Sequence, residues 1–105
     1  MQAKPNSHYW RFFTSHAAVL CIIKSRPGLT TSKIARRAGI TERTAYKIIG
    51  ELAEEGYVAR RRFGRRNTYL VDMSAPLRHH FHPRTSVGDL ISAAMPAKKR
   101  ERQFA

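Results

Sequence analysis

The chain has 105 residues, 42% of them hydrophobic, enough for one small domain with its own core. Its net charge of +13 and its pI near 11.1 indicate a polyanionic partner, either nucleic acid or an anionic membrane surface. The single cysteine, Cys21, excludes an internal disulfide and a four-thiolate zinc site. That cysteine usage fits a reducing cytoplasm, where we expect the protein. The longest apolar run, residues 17–23, is too short to span a membrane, so we expect no anchor.

The first predicted helix covers residues 7–25, follows a flexible N-terminus of residues 1–6, and ends before Pro27. Its apolar residues form two stripes at helical spacing: Trp10, Phe13, Ala17, Leu20 and Cys21 on one face, and Phe12, Val19 and Ile23 on the other. A surface helix needs only one such stripe. The second therefore predicts burial against the rest of the domain or against a second subunit. Cys21 fits a core position better than a sensor position.

A second helix is predicted over residues 32–38, with Thr31 as its N-cap and a short strand at residues 29–30 before it. Gly39 supplies a tight turn because glycine adopts positive φ at little cost.

A third helix is predicted over residues 42–55, capped by Thr41 and closed by Gly56. Its apolar residues recur at i, i+3, i+4 and i+7, which places them on one inward face: Ala45, Ile48, Ile49 and Leu52.

A basic hairpin follows, with strands expected at residues 56–59 and 68–72 and the arginine-rich run 60–67 as its tip. Arginine is always charged, and its planar fork of donors suits phosphate oxygens. The competing interpretation is a solvated basic loop that keeps the protein soluble.

Residues 73–84 are expected to form an irregular connection. Thr85 or Ser86 then caps a final helix over residues 85–95, and residues 96–105 form a basic disordered tail. The second stripe of the first helix and the apolar face of the final helix predict a dimerisation surface, made of Phe12, Val19, Ile23, Val87, Leu90, Ile91 and Met95.

Two motifs fall in a recognisable order. Residues 34–45 follow the pattern I-A-x-x-x-G-I-x-x-x-T-A, and residues 52–58 follow L-x-x-x-G-Y-V before the basic hairpin. Over roughly residues 10–72, the chain resembles the MarR and ArsR class of small transcriptional regulators. The resemblance implies a winged helix-turn-helix over residues 7–95: mainly α with a small β-hairpin, a three-helix core, a wing and a C-terminal helix.

It further implies a sequence-specific, double-stranded DNA-binding transcriptional regulator that acts as a homodimer. The third helix would enter the major groove, and the wing would contact the backbone or the minor groove. The predicted DNA-binding residues are Thr31, Ser32, Lys33, Thr41, Arg43, Thr44, Tyr46, Lys47, Arg60, Arg61, Arg62, Arg65, Arg66 and Asn67.

Within that set, Arg43 and Lys47 are spaced i, i+4 on the exposed face, and Thr44 suits a phosphate or a thymine methyl group. Tyr46 either faces DNA or packs on the hairpin. Glu42 suits the helix N-terminus, and it can also accept from a cytosine amino group.

His79, His80 and His82, together with His16 and Cys21, raise the question of a metal site. Paired thiolates and a His-x-x-x-His spacing are missing, so we expect no metal and interpret the segment as a linker. The sequence also has no glycine-rich phosphate loop and no nucleophile–base pair, so neither a cofactor nor catalysis is expected. An RNA- or nucleoprotein-associated winged helix and a protein-interaction winged helix remain as alternatives.

Overall fold

The computed structural model describes residues 13–78 and 84–95. Within those residues the chain forms helices α1 Ser15–Ser25, α2 Thr31–Ala38, α3 Glu42–Glu54 and α4 Val87–Ala94, and strands β1 Val58–Phe63 and β2 Arg66–Val71. This order confirms the predicted fold class, mainly α with a small β-hairpin. The flexible N-terminus (1–6) and the basic tail (96–105) lie outside the described residues. No helix in the described part has the length and apolar character needed to cross a bilayer.

The first helix begins later than predicted. Thr14 has an extended backbone and is the N-cap of α1, since its hydroxyl oxygen accepts from the Ala17 N–H at 3.1 Å. A continuous helix over residues 7–25 is therefore wrong, because Phe13 and Thr14 precede the first helical residue. The predicted end of the helix at Ser25 is confirmed. A threonine can cap a helix or lie within one, and here the cap forms.

The second helix also starts at a different threonine. Thr30, not Thr31, is its N-cap, and its hydroxyl accepts from the Lys33 N–H at 3.2 Å. Thr31 is the first helical residue instead. Residues 29–30 belong to no strand, so the predicted short strand is wrong. In a capping bond the threonine hydroxyl accepts from a backbone N–H near the start of the helix. Thr30 and Thr31 can both make such a bond, so their type does not tell which of them is the cap.

Glycines end α2 and α3 as predicted. Gly39 has φ +73°, and Gly56 has φ +84°. After α3, the N–H of Tyr57 donates to the Leu52 carbonyl at 2.8 Å, and that of Gly56 donates to Ala53 at 3.1 Å. These two bonds satisfy carbonyls at the helix end that would otherwise lack partners, and they turn the chain directly into β1.

The hairpin lies within the predicted residues, but its strands are longer than predicted and its tip is shorter. Its register runs from Val58 opposite Val71 to Phe63 opposite Arg66, which leaves only residues 64–65 in the turn. Gly64 supplies the positive φ, +60°, that a two-residue hairpin turn requires. The expectation of a guanidinium cluster at the tip is therefore wrong, since most of the arginines lie in the paired strands and alternate between the two faces.

The hairpin formed by β1, β2 and the turn between them is the wing. One hydrophobic core joins all four helices to its base. The predicted inward face of α3 is confirmed, with its four apolar residues buried. The buried cluster contains Val19, Leu20, Ile23, Ile34, Ile48, Ile49, Leu52, Val58, Tyr69, Ala75, Val87 and Ile91.

The final helix docks on its own chain. Ser86 caps α4 in a reciprocal pair with Asp89, and the N–H of Val87 donates to the Ala75 carbonyl at 2.8 Å. The connection before α4 is anchored to the end of α3, because the Tyr57 hydroxyl donates to the Pro76 carbonyl at 2.7 Å and Arg78 pairs with Glu55.

This docking corrects the argument for dimerisation. Four of the predicted interface residues are buried inside the domain itself: Val19, Ile23, Val87 and Ile91. Because α4 packs against the domain core, their burial requires no second subunit. Leu90 and Met95 are half-buried. Phe12 lies outside the described residues.

Candidate nucleic-acid interface

Three elements meet on one side of the domain: the start of α2, the start of α3 and the wing. They surround a cavity of about 240 Å³. Predicted DNA-binding residues from all three elements line it: Thr31 and Ser32 from α2, Tyr46 from α3, and Arg65, Arg66 and Asn67 from the wing. Residues separated by more than thirty positions in sequence are thus neighbours around one hollow.

Tyr46 lies between this cavity and a second, more open hollow of about 610 Å³. The second hollow lies between α3 and the base of the wing, where Lys47, Gly50 and Arg60 are among its lining residues. The Tyr46 side chain is 61% exposed, so it is not packed into the hairpin. Exposure of a large aromatic side chain at this junction fits contact with a partner better than a structural role.

The remaining predicted residues line neither hollow. Lys33 is exposed in the first turn of α2, and Arg43 is exposed in the first turn of α3. Thr41 is used structurally. Its oxygen accepts from the Thr44 N–H at 3.1 Å, and its hydroxyl donates to the Thr44 hydroxyl at 2.9 Å. Thr44 is therefore the member of this pair whose own proton stays available to donate.

The basic character of α3 is confined to its N-terminal half. Glu51 lies one turn after Lys47, and their charged groups are 3.5 Å apart. The same carboxylate contacts the His16 ring nitrogen Nε2 at 2.7 Å. The hydrogen bond from His16 and the neighbouring Lys47 lower the pKa of Glu51, so it is a carboxylate at neutral pH. With Glu54 exposed further along, the second half of the helix disfavours phosphate.

Sequence reasoning missed this acidic boundary, because it treated the outer face of α3 as one surface. The i, i+4 spacing of Lys47 and Glu51 was a readable signal. The contact from His16 was not, since it joins residues thirty-five positions apart.

The wing presents its arginines to solvent. All of Arg60, Arg61, Arg62, Arg65 and Arg66 are exposed. Two have intramolecular contacts that orient them. The Arg60 guanidinium lies over the Tyr69 ring, 6.0 Å from its centre, and the Arg62 Nε–H donates to the Gly64 carbonyl at 3.2 Å. These contacts leave other guanidinium N–H groups available to phosphate oxygens.

No group of three or more potential metal ligands occurs within residues 13–78 and 84–95. The histidines considered for a metal, His79, His80 and His82, lie outside the described residues. Cys21 is half-buried in α1, where desolvation raises the pKa of its thiol. A thiol with a raised pKa is less reactive, in keeping with a packing role.

Comparison with known proteins shows which proteins share this fold. Residues 14–63 match the model of the MarR family. No curated protein sequence matches the chain. Three solved structures share the fold. The F-93 protein of SSV1 has a TM-score of 0.55 at 19% identity, over 91% of this chain and 98% of its own.

The second is the PcaV transcriptional regulator of Streptomyces coelicolor, with a TM-score of 0.54 at 21% identity, over 88% of this chain and 69% of its own. The third is MepR, a transcription regulator of the Staphylococcus aureus multidrug efflux pump MepA, with a TM-score of 0.55 at 14% identity, over 87% and 70%. At these identities the likeness establishes the fold.

The fold and the exposed basic face define a winged helix-turn-helix protein. Within that class it is MarR-like, since the matched segment 14–63 contains α1, α2, α3 and β1. The predicted MarR resemblance is confirmed, whereas the ArsR resemblance remains a sequence prediction.

Proposed function

We propose that the protein is a DNA-binding transcriptional regulator that recognises a specific double-stranded site. Helix α3 occupies the major groove, and the wing arginines contact the backbone or the minor groove. The MarR-like segment and the shared fold of two transcription regulators support this role. The observation that carries most weight is the convergence of α2, α3 and the arginine wing around Tyr46, in a chain of net charge +13.

The division of charge along α3 supports contact between DNA and the N-terminal half of the helix. Only the N-terminal turns of a recognition helix reach base edges. In α3 those turns carry Arg43, Tyr46 and Lys47 beside a single carboxylate, Glu42, whereas Glu51 and Glu54 follow without a further basic residue, where phosphate would be repelled. Arg43 and Lys47 are therefore the side chains we assign to base readout.

The test is selection from a random duplex library, followed by binding of the enriched duplex, a scrambled duplex and a structured RNA at physiological salt. A sequence-specific regulator enriches one motif and binds it about 10³-fold or more tighter than the scrambled duplex. Equal affinity for RNA would favour the RNA-associated alternative. Absence of binding to all three nucleic acids would favour the protein-interaction alternative.

We also propose that the protein acts as a homodimer, through a surface different from the buried stripes. A mostly apolar groove of about 350 Å³ is lined by residues of α1, α3, α4 and the connection. Leu20, Leu77 and Leu90 are among them, and His16, Glu51 and Glu55 are its charged or titratable members. Phe13, 44% exposed, is adjacent in sequence to the groove residue Thr14. A second copy covering this groove would remove it from water and bring two recognition helices to half-sites ~34–36 Å apart.

Sedimentation at micromolar concentration tests the dimer. We expect a dimer for the wild type and a folded monomer for Leu90→Asp. Ser92→Asp is the matched control because Ser92 is exposed on the same helix, and it should remain dimeric. A wild-type monomer would remove the dimer without affecting the proposed DNA binding.

In this role the protein acts by binding alone, without catalysis or a cofactor, and it works in the cytoplasm, where a small regulator of this class meets its DNA.

A further inference from the structure

The tip of the wing carries an apolar ring among its arginines. Phe63 is the last residue of β1 and is 63% exposed. It is paired across the hairpin with Arg66, and Arg62 and Gly64 are its chain neighbours. Because side chains alternate along a strand, Phe63 lies on the face opposite to buried Tyr69 and points away from the core. The ring is therefore not part of the hydrophobic core.

The backbone that carries this ring is constrained. The turn after it has two residues, with Gly64 at φ +60°, and the Arg62 Nε–H donates to the Gly64 carbonyl at 3.2 Å. The strand pairing continues to the Phe63–Arg66 pair itself. A planar apolar group thus sits at the end of a narrow, ordered projection, with positive charge on both sides.

We propose that Phe63 is a specificity-determining residue of the DNA complex, whose ring inserts between two base pairs in the minor groove and kinks the duplex. This inference rests on the DNA-binding function proposed above. The B-DNA minor groove is only about 6 Å wide, and its negative potential attracts arginine. The wing arginines bring the tip to that groove, and the ring then stacks where the two separated base pairs had stacked on each other.

Insertion gives the wing a sequence preference that needs no hydrogen bond to a base edge. Separating stacked base pairs is easiest at flexible pyrimidine–purine steps such as TpA, and hardest within stiff A-tracts. The preferred sites therefore carry a flexible step where the wing lies, outside the segment read by α3.

Leu70 provides a matched control within the same hairpin. It is also apolar, 50% exposed and on the same outward face as Phe63. It is paired with Ala59, four positions along the strand from Phe63, or ~13 Å from the tip. If general apolar surface on the wing matters, Leu70→Ala and Phe63→Ala have equal effects. If insertion at the tip matters, only Phe63→Ala changes bending and affinity.

The experiment uses two duplexes with the same selected α3 site, one with a TpA step and the other with an A-tract under the wing. Duplex bending is measured by energy transfer between labelled ends, and unstacking by the fluorescence of 2-aminopurine at the flanking step. We expect the wild type to bend the TpA duplex by about 20–90° and to bind it several-fold tighter than the A-tract duplex. Phe63→Ala abolishes the bend, the fluorescence change and the preference for the TpA duplex over the A-tract duplex. Phe63→Leu retains part of each effect. Leu70→Ala behaves as the wild type.

The proposed insertion of Phe63 would be contradicted by a wild-type complex with a straight duplex, unchanged fluorescence and equal affinity for both flanks. Equal effects of Phe63→Ala and Leu70→Ala would contradict it as well. Either result leaves the preference for the α3 site in place, so the proposed regulator function would stand. A protein that binds neither duplex would instead remove the proposed function itself.

Discussion

Helix α3 and the wing lie side by side, but the domain holds them very differently. Helix α3 is fixed by four buried side chains, from Ala45 to Leu52. The wing is anchored only at its base, where Val58 and Tyr69 are buried, and every residue from 59 to 67 is exposed. One element is part of the core, and the other projects from it.

This difference indicates a division of labour. Hydrogen bonds to base edges demand positions fixed to a fraction of an ångström, which a helix packed on the core provides. Attraction between guanidinium groups and phosphates tolerates variation in position, which suits long side chains on a projecting hairpin. We therefore expect α3 to determine which sequence is bound at the site it reads, and the wing arginines to determine how tightly any duplex is bound. The flank preference proposed for Phe63 acts outside that site.

The core that holds α3 is the first part of this comparison to test. Ile91→Ala removes a buried side chain of α4 and should lower the free energy of unfolding by about 2–5 kcal/mol, because the cavity it leaves cannot refill completely. Urea unfolding followed by circular dichroism measures the change. Ser92→Ala, at the exposed neighbouring position, should stay within about 0.5 kcal/mol of the wild type. Equal stability of Ile91→Ala and the wild type would show that α4 is not docked on the core.

The wing arginines should control affinity on every sequence alike. Replacing Arg62, Arg65 and Arg66 by alanine should reduce the steepness of log K against log salt by roughly 0.9 for each phosphate that an arginine no longer neutralises. Titrations at several salt concentrations measure this slope on the selected and on a random duplex. The same three positions changed to lysine conserve charge and should keep the slope. If the alanine variant keeps the wild-type slope, the wing does not contact DNA.

Helix α3 should control sequence preference. Lys47→Ala should weaken binding to the selected site by about 1–3 kcal/mol and relax the preference at one position, because the lysine side chain contacts a base. Repeating the selection with the variant identifies that position. An equal loss of affinity on random DNA would assign Lys47 to a phosphate instead.

The smallest effect is expected at Glu51. Glu51→Gln removes the carboxylate that holds the Lys47 ammonium group, so affinity for both duplexes should rise by less than Lys47→Ala lowers it. The pKa of Glu51 is lowered, so its pairs are intact at neutral pH, and their contribution to stability disappears only as the pH falls through that lowered pKa. Unfolding midpoints of the wild type and Glu51→Gln should therefore converge in acid. A constant difference at all pH values would mean that the carboxylate's charge is not involved.

Much of the fold was predictable because its signals are local. Gly39 and Gly56 end helices at turns where φ is positive, which glycine adopts easily. The helical spacing of the apolar residues in α3 predicted which face of that helix is buried. Thr14 and Thr30 were missed as caps because a threonine is compatible with either side of a helix boundary. The extent of the strands was missed because arginine carries little strand preference of its own, and the cross-strand pairing decides.

The candidate interface was predictable as a set of residues but not as an arrangement. Which side of the domain Tyr46 and the wing share depends on how α2, α3 and the hairpin pack together. The burial of Val87 and Ile91 likewise follows from the docking of α4, which no local pattern specifies. Without that docking, an apolar helix face looks the same whether it covers its own core or a partner.

The most direct measurement compares dissociation constants on the selected duplex and on a duplex in which only the α3 site is randomised and the flank under the wing is kept. It is made across a range of salt for the wild type, Lys47→Ala and the triple wing variant. The division of labour predicts that Lys47→Ala lowers the preference for the selected duplex, whereas the wing variant weakens binding to both duplexes by the same factor, flattens the salt dependence and leaves the preference unchanged. If the wing variant lowers that preference while Lys47→Ala leaves it intact, the arginines read the sequence, α3 does not, and the roles assigned to the two elements are wrong.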